Sequence, residues 1–259
     1  MSIRYRRRGQ GYGRRGVCGA LVGVLLLGGM SLAAAAESDD VGTAISLADL
    51  LRSARTVISA NQARINDPSL GDKGLSGDAV LGSAIENDIK TTGFDPRSVD
   101  PASPRGKLLA DLSKAIKQVM DANQKTINRK GMGFKGFVPA VFGRLVTEQF
   151  QVEAGDKASI KVTAPPDLVR NRKAAPDEFE TRVIAAEFSR ADWPKDKIYS
   201  AVAPLKGRQA MRVLVPEYYG AGCLSCHGAP KGEIDITGYP KEGAKLGDLG
   251  GVISISIFQ

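Results

Sequence analysis

The chain has 259 residues and a formal net charge of +8, from 36 basic and 28 acidic side chains. Six of the arginines and none of the acids fall within the first 36 residues, so the rest of the chain is close to neutral. The basic charge therefore gives no support to a nucleic-acid partner. Two of the three cysteines follow residue 36, which is too few for a disulfide scaffold.

The amino terminus has the pattern of a secretory signal peptide. Residues 1–16 are rich in arginine, residues 17–32 are apolar, and an alanine run offers an A-x-A cleavage pattern before Glu37. We expect residues 1–36 to be removed, leaving a soluble periplasmic or otherwise exported protein that does not span a membrane. The alternative is an uncleaved anchor, although glycines interrupt the apolar run and it is short for a membrane span.

Residues 37–137 are predicted to be helical, because apolar residues recur there at helical spacing. The predicted helices are Val41–Ile65, Asp78–Thr91 and Lys107–Ile127. Residues 57–66 are repeated, 62 positions later, by residues 119–128. Each copy predicts a helix end, a glycine-bearing loop and the start of another helix. Either the two loops flank one site, or the repeat is an old duplication that serves packing alone.

Residues 138–259 have a mixed pattern. Two further helices are predicted at Pro139–Phe150 and Pro176–Phe188. Strand-like runs lie at 160–164, 198–205, 209–215 and 252–258, with a hairpin signal at residues 206–208. The expected fold class is α+β: an antiparallel sheet with flanking helices, preceded by a helical amino-terminal region. We therefore predict one domain at 37–137 and a second at 138–259.

The strongest chemical signal is the run Cys223-Leu224-Ser225-Cys226-His227. The pattern C-x-x-C-H is the attachment signature of c-type haem, in which the cysteines form thioethers and the histidine binds the iron. One helical turn separates the cysteines, so both thiols face the same way. The alternative is a redox-active or disulfide-bonded cysteine pair with a histidine beside it by accident.

Residues 137–258 resemble a family of bacterial c-type haem domains with a PAS-like core, often found as extracytoplasmic sensor regions. The matching blocks, in chain order, are Pro139-Ala140 with Arg144, Leu168-x-Arg170-Asn171, Pro176-Asp177-x-Phe179-Glu180, Cys223-x-x-Cys226-His227-Gly228, Gly238-Tyr239 and Asp248-Leu249-Gly250-Gly251-Val252-Ile253-Ser254. The resemblance implies a PAS-like domain with one covalent haem c held against a five-stranded sheet.

The sixth iron position has several candidates. His227 is the only histidine, so a second histidine of the same chain is excluded. Met132, between two glycines in the second repeat loop, is the favoured protein ligand, against an open or water-filled position. Met120 and Met211 lie in patterns typical of core packing. We expect the loop Arg129–Phe137, alone or with its copy Asp67–Leu75, to cover the haem face opposite His227.

Two further residues are expected to bind the cofactor. Tyr219 precedes the motif and is predicted to lie beside the haem. Arg170 is predicted to pair with the haem propionates, because a guanidinium suits carboxylates. Both have a simpler explanation, as wall of the site for the tyrosine and as a surface charge for the arginine.

Two functions follow from these expectations. The first is haem-based sensing, or binding of a small diatomic ligand or redox signal. The alternative is a periplasmic electron carrier that meets a redox partner protein. We do not expect an enzyme, because the chain has no nucleophile and base pair and a peroxidase would lack its distal histidine.

Overall fold

The computed structural model describes residues 27–259. The chain divides into two compact units, Met1–Ala36 and Glu37–Gln259, and the architecture below is that of the second unit. Residues 1–26 of the predicted signal peptide lie outside the described residues, so its cleavage stays a prediction. Within residues 27–259, no helix combines the length and apolar character needed to cross a bilayer.

The helical part follows the predicted pattern. The α-helices of the described chain are α1 (Leu27–Ala60), α2 (Gln62–Ile65), α3 (Gly77–Thr92), α4 (Pro104–Ala122), α5 (Gln124–Ile127), α6 (Pro139–Ala154), α7 (Glu178–Val183) and α8 (Leu224–His227). Ser76 and Ser103 cap α3 and α4 by accepting hydrogen bonds from backbone N–H groups of the first turn. A π-helical turn, Ile184–Phe188, extends α7.

Four strands form one antiparallel sheet: β1 (Ala158–Thr163), β2 (Tyr199–Leu205), β3 (Arg208–Tyr218) and β4 (Leu249–Phe258). Their order across the sheet is β1-β4-β3-β2. Lys206 and Gly207 connect β2 to β3, both at positive φ, as a tight two-residue hairpin requires. The α+β prediction is confirmed.

The implied fifth strand is a correction, because the sheet of the described residues has four strands. The segment between β3 and β4 is rich in glycine and proline and pairs with itself: Gly232 donates to the Lys241 carbonyl at 2.8 Å and Lys241 to the Glu233 carbonyl at 2.8 Å. Its backbone groups are thus satisfied locally, and it adds no strand to the sheet.

The sheet separates two apolar clusters. Val213, Ile253 and Ile255 face the main core, which also contains the buried residues of α1, α3, α4 and α6. On the opposite face Leu214 and Val252 pack against α7. The helical region and the sheet therefore share one core, and the division at residue 137 stays a prediction.

A buried ion pair closes the α7 face of the sheet. Arg212 is buried on β3 and donates to Asp177 at 2.6 Å and to Glu180 at 3.3 Å. Asp177 and Glu180 also form the capping box that starts α7, and the Phe179 ring lies 4.3 Å from the Arg212 guanidinium carbon. The Pro176–Glu180 block of the family resemblance thus has a structural role.

Candidate functional site

The Cys-x-x-Cys-His run forms one tight turn just after the end of β3. A 3₁₀ turn, Ala221–Cys223, leads into α8, which ends at His227. Both cysteines are free thiols, with Cys223 exposed and Cys226 half-buried. A Cβ atom at Gly228 would lie 2.5 Å from the Leu224 carbonyl oxygen, so the chain can leave this turn only through glycine.

The ring of His227 is held by two neighbours. Its Nδ1 atom lies 2.8 Å from Oε2 of Glu242, and the Tyr219 hydroxyl oxygen lies 3.4 Å from the same nitrogen. The Tyr219 and His227 rings stack at 4.9 Å between centroids. Because a carboxylate only accepts hydrogen bonds, the ring proton is assigned to Nδ1 and donates to Glu242. The Nε2 lone pair is then available to a metal.

Arg170 connects this histidine to the rest of the site. Its guanidinium donates to both oxygens of Glu242, at 2.8 and 3.0 Å, and to Asp235 at 2.6 Å. It also donates to the carbonyl oxygen of Cys226 at 2.9 Å. We call Arg170, His227, Asp235 and Glu242 the Arg170 cluster. The structure therefore brings Arg170 to the motif, and its predicted pairing with propionates stays a prediction.

The charges of the cluster follow from these contacts. Burial alone would raise the pKa of Asp235, but hydrogen bonds from Thr237 and Arg170 outweigh it and hold that pKa well below its usual range. Burial is likewise outweighed at Glu242, whose pKa is lowered by hydrogen bonds from Arg170 and His227. Burial and the charge of Glu242 raise the pKa of Tyr219 to about 12. At neutral pH both carboxyl groups are anionic and the phenol is neutral.

The segment 228–248, which we call the hairpin, folds back against the end of the motif. It is anchored to α8 by Ala244, whose N–H donates to the His227 carbonyl at 2.8 Å. Yet it leaves Ile234, Ile236 and Leu246 largely exposed. Three large apolar side chains of the hairpin are therefore open to solvent.

The site is also tied to the sheet and to α1. The Tyr219 N–H donates to the Asp248 carbonyl at 2.9 Å, and a Cβ atom at Gly250 would lie 2.6 Å from the Tyr219 ring. Glycine at the start of β4 is thus what allows this ring position. Glu217, two residues before Tyr219, pairs with Arg52 at 3.4 Å and with Arg55, both on α1.

Burial would raise the pKa of Glu217, but the charges of Arg55 and Arg52 outweigh it and lower that pKa. The carboxylate is therefore anionic at neutral pH. The end of β3 is in this way ion-paired to the long helix of the helical region.

The two repeat loops bind each other. The Asn66 side-chain oxygen accepts from the Lys135 backbone N–H at 3.1 Å, and that of Asn128 accepts from the Lys73 N–H at 3.0 Å. The Gln62 side chain, in the same way, donates to the Phe137 carbonyl at 3.0 Å, as Gln124 does to that of Leu75 at 2.8 Å. These contacts fit the packing role of the repeat.

Met132 lies in the second of these loops with 36% of its surface exposed. Its carbonyl oxygen accepts from the ammonium group of Lys135 at 2.8 Å. Iron ligation by Met132, and the covering of the haem by this loop, stay predictions. Met120 and Met211 are buried in the main core.

Sequence reasoning missed Glu242, Asp235 and Gly250. Glu242 lies 15 residues after His227, in a lysine- and glycine-bearing stretch with no ligand spacing. Its contact arises only because the hairpin folds back onto α8. The one signal was indirect, since Arg170 and Gly250 both fell within blocks of the family resemblance.

The residues present fit a covalently attached haem. Two free thiols one turn apart are the groups that form thioethers, and the adjacent histidine has its Nε2 lone pair available. The apolar side chains exposed on the hairpin suit a large apolar ring.

The fold and site define an α+β domain with a Cys-x-x-Cys-His turn just after the end of β3. A family model matches residues 36–257, and the chain belongs to the Tll0287-like family. The match covers the helical region as well as residues 137–257. No curated protein and no solved structure matches the chain.

Proposed function

We propose that this chain is a c-type haem protein with one haem, attached through Cys223 and Cys226 and ligated by His227. The observation that carries the proposal is the orientation of His227, whose Nδ1 is bound by Glu242 while Nε2 stays available beside two free thiols. Membership of the Tll0287-like family supports it. When bound, the haem supplies an iron that changes oxidation state and takes small ligands.

The function we favour is sensing, by a PAS-like domain, of a small diatomic ligand or of redox state. What supports this function is a series of contacts that connects the site to the core. A shift of His227 acts on Tyr219, whose backbone N–H donates a hydrogen bond to Asp248, the residue before β4. Glu217, near the end of β3, is ion-paired to α1. A change at the iron ligand would therefore reach the central strands and the longest helix.

Electron transfer is the second candidate, favoured by the exposure of the motif. Cys223 is exposed and His227 is only partly covered, so one haem edge would lie near the surface. A redox partner protein could then approach the cofactor directly. We further propose export to the periplasm with loss of residues 1–36, and no enzymatic activity.

The attachment is tested by a haem stain after denaturing electrophoresis. The wild-type polypeptide should retain the stain, and the Cys223→Ser/Cys226→Ser double variant should lose it. His227→Ala should keep some covalent haem but change the visible spectrum, since the thioethers do not need the histidine. An unstained wild-type protein, or an unchanged spectrum in His227→Ala, contradicts the proposal.

Carbon monoxide separates the two functions. Rapid binding to the ferrous protein is expected for a sensor with an open or weakly held sixth position, and no spectral shift is expected for a carrier with two firm ligands. Met132→Ala adds the ligand test, because loss of a six-coordinate spectrum would assign the sulfur to the iron. Mass spectrometry of the exported protein tests the removal of residues 1–36.

A further inference from the structure

We propose that Glu242 lowers the reduction potential of the haem by acting as a fixed anionic acceptor on the iron ligand His227. The inference rests on the proposed function, because it concerns a residue that acts on the cofactor through His227. Glu242 is thus a positioning and tuning residue, which does not itself touch the iron.

The geometry gives Glu242 a direct hold on the ligand. Its Oε2 atom lies 2.8 Å from Nδ1 of His227, and its other oxygen accepts from Arg170 at 2.8 Å. Oε1 of Glu242 therefore accepts from Arg170 alone, whereas Oε2 accepts from both Arg170 and His227. Its side chain is 17% exposed, so water screens this hydrogen bond only partly.

The surrounding charges do not cancel the effect. Arg170 contributes one positive charge, while Glu242 and Asp235 contribute two negative charges. Asp235 draws on a separate guanidinium nitrogen, so a single arginine is shared by two carboxylates. The three groups together leave a net negative charge beside the imidazole.

The direction of the effect follows from electrostatics. A negative charge at Nδ1 increases the electron density that the imidazole gives to a metal, and charge-assisted hydrogen bonds are stronger than those to neutral carbonyl groups. Both effects favour the more positive oxidation state of the iron. The axial ligand and its hydrogen bonds are recognised determinants of haem potential.

A purely structural role for Glu242 is the competing explanation, because the same carboxylate clamps Arg170. Glu242→Gln separates the two roles, since the amide keeps its size and one acceptor oxygen but removes the charge. Glu233→Gln is the matched control. Glu233 lies on the same hairpin, is 52% exposed and pairs with Lys241, so the same charge is removed without contact to His227.

The experiment is a spectroelectrochemical titration of the purified haem-loaded protein and the two variants. We expect a higher midpoint potential in Glu242→Gln, with a shift several times that of Glu233→Gln. The iron–histidine stretching frequency, read by resonance Raman spectroscopy, should fall in Glu242→Gln only. Equal midpoint shifts in the two variants would overturn the proposal.

Glu242→Asp covers the case in which Glu242→Gln does not accumulate. It keeps the charge, so its midpoint potential should differ from that of the wild type by no more than that of Glu233→Gln does. If neither variant holds haem while the wild type does, Glu242 is a structural anchor and the proposal is wrong. Failure of the wild-type protein to hold covalent haem would instead contradict the proposed function itself.

Discussion

Two parts of the molecule hold a loop in place with a buried or half-buried cation, but they pair it with different acceptors. In the repeat loops, Lys73 is fully buried and donates to the carbonyl oxygens of Asp67 and Leu70, at 2.6 and 2.7 Å. At the hairpin, Arg170, which lies between β1 and α7, donates mainly to two hairpin carboxylates. The first arrangement uses neutral acceptors, and the second uses charged ones.

This difference separates a scaffold from a chemical site. Carbonyl acceptors tie the chain together and have no further proton-accepting role. Carboxylates bound to Arg170 remain charged, and one of them still accepts a hydrogen bond from His227. A cation thus stabilises the repeat loops in one place, and in the other it holds a carboxylate that contacts His227.

Removing Arg170, the cation that pairs with the hairpin carboxylates, should cause the largest loss of stability. Arg170→Met leaves Asp235, whose side chain is fully buried, without its ion-pair partner. We expect a loss of about 3–5 kcal/mol in the free energy of unfolding, measured by urea denaturation. Arg190→Met is the control, because Arg190 and its partner Asp192 are both exposed and such pairs contribute about 0–1 kcal/mol. Equal losses in the two variants would show that the Arg170 cluster does not hold the hairpin.

The same experiment on the repeat should give a somewhat smaller loss. Lys73→Met keeps an apolar stem but leaves two carbonyl oxygens unpaired, which should cost about 2–4 kcal/mol. The Cys-x-x-Cys-His turn adjoins the first repeat copy, since a Cβ atom at Gly222 would lie 3.4 Å from the Ser59 hydroxyl oxygen, so the visible spectrum of bound haem tests whether the loops also reach the cofactor. Lys125→Met, at an exposed position of α5, is the control. A spectral change in Lys73→Met would indicate that the repeat loops do reach the cofactor.

The helical region also contains a buried acidic side chain, Asp88, whose protonation affects stability. It is fully buried on α3, and among the described residues neither of its carboxyl oxygens has a hydrogen-bond partner. Burial, followed by the charge of Asp49, raises its pKa from 3.8 to about 6. The folded state therefore binds this proton more tightly than the unfolded state does.

The sign of the pH dependence follows. The stability that protonated Asp88 contributes is present below its unfolded pKa and is lost as the pH rises from 3.8 to about 6. Asp88→Asn has no such loss, so it should gain about 2–3 kcal/mol on the wild type between pH 4 and pH 7. Urea denaturation at both pH values measures this, with Asp78→Asn, an exposed carboxyl of the same helix, as control. A pH-independent difference would contradict the burial argument.

The smallest loss of stability should come from replacing Asn66 or Asn128, each of which accepts a hydrogen bond from the other copy's loop. Asn66→Ala and Asn128→Ala each remove one cross-loop hydrogen bond and the bond that the asparagine donates to the glutamine of its own copy, which should cost about 1–2 kcal/mol each. Because the two bonds close the same pair of loops, we expect the double variant to deviate from additivity. If one single variant lost much more stability than the other, the two copies would differ in the strength of these contacts although the contacts have the same geometry.

Much of the local structure could be predicted from the residues. Helical spacing of apolar residues predicted α1, α3, α4 and α6, and alternation predicted the four strands, because these patterns reflect which face of each element is buried. The Cys-x-x-Cys-His run likewise predicted two thiols on one turn, and the structure has Cys223 and Cys226 there as free cysteines. The offset of 62 residues revealed the repeat before any contact within it was known.

Tertiary structure alone decided what those groups touch. Glu242 reaches His227 across the fold of the hairpin, and the repeat copies hold each other's loops instead of their own. The arginine predicted to pair with propionates also joins Asp235, Glu242 and the motif backbone. Local patterns record the burial of a residue, whereas partners such as these come together only when distant segments are brought side by side by a shared core.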